Sequence, residues 1–350
     1  MNMQQVETMA MRVVGDMGGT FTMSLAYIGD QLGLFRTMAT SGPVTSEELA
    51  STMNLNERYV REWLRAMVAS EYLERDATTG RYRMTEEQAA VLANEDSPMF
   101  CGGAFHFTTP SIYNTPRVME AFRNGGGVPY HEMSAEIPCA IERFFRPGYV
   151  NFLVSHWLPA VPGLMEKLQA GARVADIGCG RGQSTVRMAE AFPKSTFVGI
   201  DYHEPSIAAA TRLAKDRGLS NTEFVRGPAE RLPMDRTYDL VCSFDCIHDM
   251  VDPVATLKTI RMAMSDDGVY LWSEPNASHE EMENRNPIGR AFHSISPLHC
   301  MTVSLAHDGA GLGTVIGEQG ARKLASEAGF GMFGRLPIDN PFNQFFLLRK

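Results

Sequence analysis

Along the first hundred residues apolar positions recur at helical spacing. In TFTMSLAYIGDQLGLF (20–35) they fall three and four apart, and the pattern stops near Gly33. Thr45-Ser46-Glu47-Glu48 starts another helix, because Thr45 stands three residues before Glu48 as in a capping box. Asn56 caps the next, whose Val60, Trp63, Leu64, Met67 and Val68 form one apolar face. YLERDATTGRYRMT then reads as strand, Thr-Gly turn, strand. From 173 onward short apolar runs alternate with helical segments: RVADIG, STFVGID, NTEFVRG, YDLVCSF and GVYLWSE are strands, and GQSTVRMAEAF, PSIAAATRLAKDRG and DPVATLKTIRMAM are helices. A long excursion (276–316) follows. Then come a helix, GEQGARKLASEAG, and the strands GMFGRLPI and NQFFLLR, whose short Asp-Asn-Pro connection predicts antiparallel pairing.

These elements suggest three regions: a front module over 1–95, a helical connector over 96–172 and an α/β domain over 173–350 with a lid insertion at 276–316. Helices followed by a hairpin are the order of a winged helix. Arg58, Arg61 and Arg65 share one helix face, as DNA reading would need. Yet residues 46–87 hold six Arg and no Lys against nine acids, so dimerisation and lid duty suit the module better than nucleic acid. The connector contains RNGGGVPYHEM (123–133), a Gly-rich break expected to act as a flexible hinge before Tyr130 and His131. Alternating strands and helices predict a parallel sheet covered on both faces, with ligands at the carboxyl ends of its strands.

Bulk composition narrows the class. The 350 residues are 44% hydrophobic and 21% charged, with a net charge of −9, which weighs against a phosphate-binding surface. No apolar run reaches membrane-span length, and the first residues lack the charge pattern of a signal peptide. Six irregularly spaced cysteines make no disulfide framework, and a cytoplasmic location is expected. The 22 methionines read as adaptable core filler.

The candidate chemistry starts at VADIGCGRG (174–182), where an acid and three glycines stand at the first strand's end. Glycines let the backbone approach a ligand, and Asp176 can pair with an ammonium. Asp201 ends the second strand and can accept from two ribose hydroxyls. Gln183 stands where a G-x-G-x-x-G dinucleotide pattern would need glycine, so S-adenosylmethionine (SAM) is favoured over NAD. Segment 173–275 resembles the class I SAM-dependent methyltransferases through D-I-G-C-G, Asp201 and the run Gly227-Pro228-Ala229-Glu230-Arg231-Leu232-Pro233. The resemblance implies an α/β fold. It comprises a seven-stranded Rossmann-like methyltransferase sheet, last strand antiparallel, behind an N-terminal, essentially all-helical winged-helix domain. It also implies that Asp176, Gly178, Cys179 and Gly180 hold the methionine end and Asp201 the ribose. Tyr202, Gly227, Ala229, Glu230 and Phe244 would lie about the adenosine. Pro228 replaces an acid common in that family, so the adenine amino contact must come from elsewhere, such as Glu230 or a water. With its front module the whole chain is similar to small-molecule O-methyltransferases and to a mycobacterial-type group.

An acceptor hydroxyl must lose its proton, and histidine suits that task. His248 in SFDCIHDMVDP lies in the loop above the sheet, and Glu274 in LWSEP can orient it, as in plant-type phenolic O-methyltransferases. His131, His156, His293 and His299 compete with it for the role. Tyr130, Phe292, His293, Leu298, His299, Met301 and Leu305 could line the acceptor pocket. Cys242, Cys246 and His248, or His299, Cys300 and His307, do not have a usual zinc spacing, so no metal is expected. The sequence thus points to a homodimeric enzyme methylating a small molecule, or to a winged-helix regulator that senses SAM without catalysis.

Overall fold

The computed structural model describes residues 1–233 and 237–350, with Glu230 described in its backbone only. The chain divides into two compact units. One is Met1–Pro110 with Cys139–Pro147, and the other is Ser111–Pro138 with Gly148–Lys350. The region expected as a connector over 96–172 is therefore split between them.

In the first unit the opening helix begins at Met3, well before the periodic segment at 20, and runs to Gln31. Helices Leu34–Ser41, Ser46–Met53 and Glu57–Ala69 follow. The capping box of Thr45 and Glu48 forms in full, and the Asn56 side chain caps the Glu57–Ala69 helix. Strands β1 (Glu74–Arg75) and β2 (Tyr82–Arg83) pair antiparallel across the Thr-Gly turn, so the module is helical apart from this hairpin. Phe35, Met38, Leu49, Val60, Trp63, Leu64 and Met67 form its core. Arg58, Arg61 and Arg65 are ion-paired with Glu62 (2.6 Å), Glu57 (3.1 Å) and Glu62 (3.0 Å) on their own helix.

A buried charge network ties this unit together. Asp30, at the end of the opening helix, meets His106 Nε2 at 2.5 Å and accepts from Arg143 at 2.7 and 3.2 Å. Arg143 also donates to Glu95 at 2.8 Å. Burial opposes the Asp30 charge, but His106 and Arg143 outweigh it and hold the carboxyl down at about 2.

The second unit is built on β3 (Arg173–Ile177), β4 (Thr196–Asp201), β5 (Thr222–Arg226), β6 (Tyr238–Phe244), β7 (Met264–Pro275), β8 (Met332–Arg335) and β9 (Asn343–Arg349), in the order β5-β4-β3-β6-β7-β9-β8. The first five are mutually parallel, while β9 inserts antiparallel between β7 and β8. Successive residues of a strand face opposite ways, so each strand feeds two cores. Tyr270, Trp272, Phe346 and Leu348 pack with the helices Pro253–Ala263 and Gly317–Glu327. Leu271, Phe345 and Leu347 join Trp157, Leu168 and Met188 on the other face.

The 276–316 excursion is itself ordered into helices Pro287–Leu298 and Cys300–Leu305. It is pinned over the β6–β7 side: Ser304 Oγ donates to Met250 O (2.9 Å) and Ala310 N to Val251 O (2.9 Å). The Gly-rich stretch ends anchored, because Val128 N donates to both Thr302 O (3.2 Å) and Thr302 Oγ1 (2.9 Å).

Removing Asp30 would leave the Arg143 guanidinium without its counter-charge and the His106 ring without its partner. Asp30→Ala should destabilise the first unit by on the order of 3 kcal/mol in urea unfolding. The wild-type contribution should be complete above the ordinary aspartate pKa and fade as pH falls toward about 2, since the folded-state value is depressed.

Candidate active site

β3 delivers the chain into a turn at Gly178, Gly180 and Gly182, with φ of +67°, +52° and +82°. The left-handed conformation favours glycine. At Gly178 space demands it as well, since a Cβ there would stand 2.6 Å from Cys246 Sγ. Gly180 instead borders open space. Gly178 N and Cys179 N both donate to Ile200 O at 2.8 and 3.1 Å, fixing the turn against β4.

Two carboxylates frame this turn. Asp176 is fully buried, and its Oδ2 accepts from Ser184 Oγ and Thr185 Oγ1, each at 2.6 Å. Its Oδ1 is buried with no N–H or O–H partner among the described residues. Burial pushes this carboxyl up to about 6 against the pull of the two hydroxyls. Asp201 takes Gly180 N on Oδ2 (2.9 Å) and His203 N on Oδ1 (2.8 Å). Burial raises it too, and those two N–H groups oppose the rise.

Beyond Asp201, Gly227 N donates to Asp201 O (2.9 Å), and Ala229 is buried in the turn Ala229–Arg231. The Glu230 side chain lies outside the described residues. Tyr202 is half exposed. Tyr130 lies edge-on to Tyr202, His203 and His299, with ring centroids 6.0, 5.1 and 5.8 Å away. Phe244 packs among Tyr149 and Trp157 as part of the sheet's core.

The β6 and β7 ends meet in a second constellation. His248 Nδ1 lies 2.6 Å from Glu274 Oε2, and both residues are buried. Trp272 Nε1 donates to the other oxygen, Glu274 Oε1, at 2.7 Å. Burial alone would lower the His248 pKa, but the Glu274 carboxylate, with Cys300 beside the ring, raises it well above the usual histidine value. Asp245 has a positive φ of 55° and accepts from Asn343 Nδ2 at 2.6 and 2.7 Å. Burial lifts Asp245 and Asp249 each to about 7, with the charge of His248 opposing.

The competing histidines fare differently. His131, His156 and His293 are exposed, while His299 is buried, its pKa driven down to about 4 by burial and by the charge of His248. Met301 is half-buried on the Cys300–Leu305 helix. Cys242 Sγ is turned toward Ala175 O (3.5 Å) and Cys246 Sγ toward Ile177 O (3.2 Å). Among the described residues no three His, Cys, Asp or Glu stand as a metal-binding group. A polar cleft of about 700 Å³ lies past β7, lined by Asn276, Asn284, Glu318, Arg322, Arg335 and Gln344 among others, and holds none of the expected site residues.

Four contributors were not read from the sequence. Ser184 and Thr185 anchor Asp176; their place just after the glycine turn was the available signal. Asn343 comes from a distant strand and had none. Trp272 stands two residues before Glu274 on one strand, so the period of two already put both on the same face.

Residues 168–323 match the family model described as a methyltransferase domain, and residues 20–94 match an Rv2258c-like winged HTH domain. The chain carries a methyltransferase domain behind a winged helix-turn-helix domain. It is 27% identical over 141 residues to the malonyl-[acyl-carrier protein] O-methyltransferase of Bacillus anthracis, covering 36% of this chain and 51% of that one. Against the demethylmenaquinone methyltransferase of Bacillus subtilis it is 30% identical over 109 residues, covering 31% and 47%. The chain thus spans about half the length of these relatives. Its methyltransferase domain and front module together align with a putative O-methyltransferase from Nostoc punctiforme (TM-score 0.74, 20% identity, 98% of each chain). Human N-acetylserotonin methyltransferase, solved with SAM, aligns with TM-score 0.73, 19% identity and 97% of each chain.

Proposed function

We propose that the protein is a SAM-dependent methyltransferase acting on a small-molecule acceptor at a hydroxyl oxygen. The observation that carries this reading is the gathering of Asp176, Asp201, Asp245 and Asp249 at the strand ends, where burial raises each carboxyl and Asp176 Oδ1 has no N–H or O–H donor among the described residues. Buried carboxyls call for a cationic partner, and SAM carries a sulfonium and an ammonium against one carboxylate. Asp176 Oδ1 would take the ammonium, the Gly178–Gly180 backbone the methionine end, and Asp201 the ribose hydroxyls. Each Asp201 oxygen already accepts one N–H and keeps a second lone pair for them. Tyr202 and Ala229 would border the adenine.

When bound, SAM supplies a methyl whose bond to sulfur breaks as the acceptor oxygen bonds to carbon, the electron pair staying on sulfur. The protein's part is to align the reactants and to accept the hydroxyl proton. His248 Nε2 is the atom for that, because Nδ1 is engaged by Glu274. The Glu274 carboxylate raises the His248 pKa, so the neutral form of the ring that can act as base gains as pH rises. The helices of 287–305 and Tyr130 would enclose the acceptor. Two of the similar proteins are named as O-methyltransferases, one of them a putative one, which agrees with an oxygen acceptor. DNA binding is less favoured, because Arg58, Arg61 and Arg65 are neutralised by glutamates of the same helix.

A homodimer suits the opening helix. Met3, Val6, Met9, Met11, Val13, Val14, Met17 and Phe21 are all exposed on it. Gly15, Gly18 and Gly19 each weaken an isolated helix by about 1 kcal/mol. A lone solvated helix of this composition would be marginal, whereas a second copy would cover the apolar residues, and the glycines would permit close approach. Six free cysteines fit a reducing cytoplasm. No helix among the described residues is long and apolar enough to cross a membrane.

Calorimetry of SAM binding near neutral pH, in buffers of differing ionisation enthalpy, should show proton release. Affinity should rise severalfold from about pH 6 to about pH 8, because the strand-end carboxyls ionise in the complex. Binding that releases no proton would remove the support these carboxyls give. His248→Ala should lower turnover by about 10²–10⁴ while SAM affinity holds, and Glu274→Gln should move the rise of activity to lower pH. Turnover within a few fold of wild type in His248→Ala would leave alignment as the whole mechanism. Removing residues 1–19 should convert a dimer to a monomer in sedimentation equilibrium, and an unchanged mass would place any dimer contact elsewhere.

A further inference from the structure

Glu274 is wholly buried, and its two oxygens are served by different donors. His248 Nδ1 meets Oε2 at 2.6 Å, and Trp272 Nε1 donates to Oε1 at 2.7 Å. Such a pair has two neutral-overall forms. In one the imidazolium faces a carboxylate. In the other the proton has crossed to Glu274, leaving an imidazole with its hydrogen on Nε2 and its lone pair consumed at Nδ1. Only the first form, on losing its Nε2 proton, yields a base at Nε2. The pressure toward the second is real, since a buried charge pair is costly to desolvate. Around His248 stand Glu274 from β7, Asp245 and Asp249 from its own loop, Cys300 from the Cys300–Leu305 helix and His299 just before it. Glu274 in turn acts on Asp245 as a like charge and raises it.

The indole opposes that transfer. An indole N–H donates and cannot accept, so it favours Oε1 as an anionic acceptor, and hydrogen bonds to charged groups are the stronger kind. Trp272 is itself fully buried, packed against Tyr270 at 6.0 Å and Phe346 at 5.8 Å. We propose that Trp272 is a positioning residue of the reaction: its N–H holds Glu274 anionic and turned to His248 Nδ1, which leaves the lone pair of the deprotonated ring on Nε2. This rests on the reading of His248 as the base. Trp272 reaches no acceptor and acts only through Glu274.

The test is nitrogen NMR on the full chain labelled with ¹⁵N-histidine, with the His248 signals assigned by loss in His248→Gln. Wild type should keep a proton on Nδ1 from about pH 6 to about pH 9. Trp272→Phe, which retains the ring packing and removes the N–H, should show the neutral Nε2–H tautomer. An unchanged Nδ1–H pattern in Trp272→Phe overturns the proposal. Tyr270→Phe removes a neighbouring buried hydroxyl that bonds Ser243 at 2.5 Å, and should leave the tautomer as in wild type. An equal change there would mean general core loosening and would equally overturn it. Should Trp272→Phe fail to fold, the Trp272 indole proton can be followed in Glu274→Gln. It should move upfield as the charged acceptor is lost, and an unmoved signal counts against the proposal. Full turnover in His248→Ala would end the base reading, yet the tautomer result would still be read on its own terms.

Discussion

Carboxylates drawn largely out of water are the constraint around which the second unit is organised. A parallel sheet ends several strands along one edge, and here β3, β4, β6 and β7 bring Asp176, Asp201, Asp245 and Glu274 to that edge. An unsolvated carboxylate needs donors or it takes up a proton. Each has found a different answer. Asp176 leans on two hydroxyls of the next helix, Asp201 on two backbone N–H groups, Asp245 on one amide from β9, and Glu274 on an imidazole and an indole. Much of the local geometry follows from those needs. The Gly178–Gly182 turn brings Gly180 N to Asp201. The positive φ of Asp245 occurs at the residue whose carboxylate meets Asn343.

The donor count also separates structural acids from ligand-facing ones. Glu274 has a donor on each oxygen and belongs to a closed relay. Among the described residues Asp176 has N–H or O–H donors on one oxygen only, so part of its burial remains uncompensated. A site that left every acid satisfied would have little to gain from a cation. A site that left every acid bare would be too unstable to fold. The arrangement lies between these limits, with raised pKa values that a cationic ligand can bring down.

Much of this was legible in the chain, and for definable reasons. Strand period, cap spacing and the glycine turn are local, so the sheet and its order of elements, the caps at Thr45 and Asn56, and the places of Asp176 and Asp201 could be read. The His248–Glu274 pairing needed a resemblance, because 26 residues separate the partners. The opening helix escaped notice before residue 20, since its apolar residues lie all round and three glycines interrupt the pattern. The anchoring of the Gly-rich stretch was not legible, because Gly-rich composition reports permissiveness and the docking of Val128 on Thr302 depends on a helix 174 residues away.

The polarity of the two relay partners explains why the chain would use an indole beside Glu274 when a hydroxyl would also fill the bond. A hydroxyl both donates and accepts, so it would stabilise a carboxylate and a carboxylic acid almost alike. The indole can serve only the anion. Its bulk is already required by the core formed with Tyr270 and Phe346, so one side chain meets a packing need and an electrostatic one. Replacing it by another large apolar residue would preserve the first role and lose the second. For that reason the ionisation of the pair can be perturbed separately from the fold, and for the same reason Trp272 is attributable to chemistry as well as to packing.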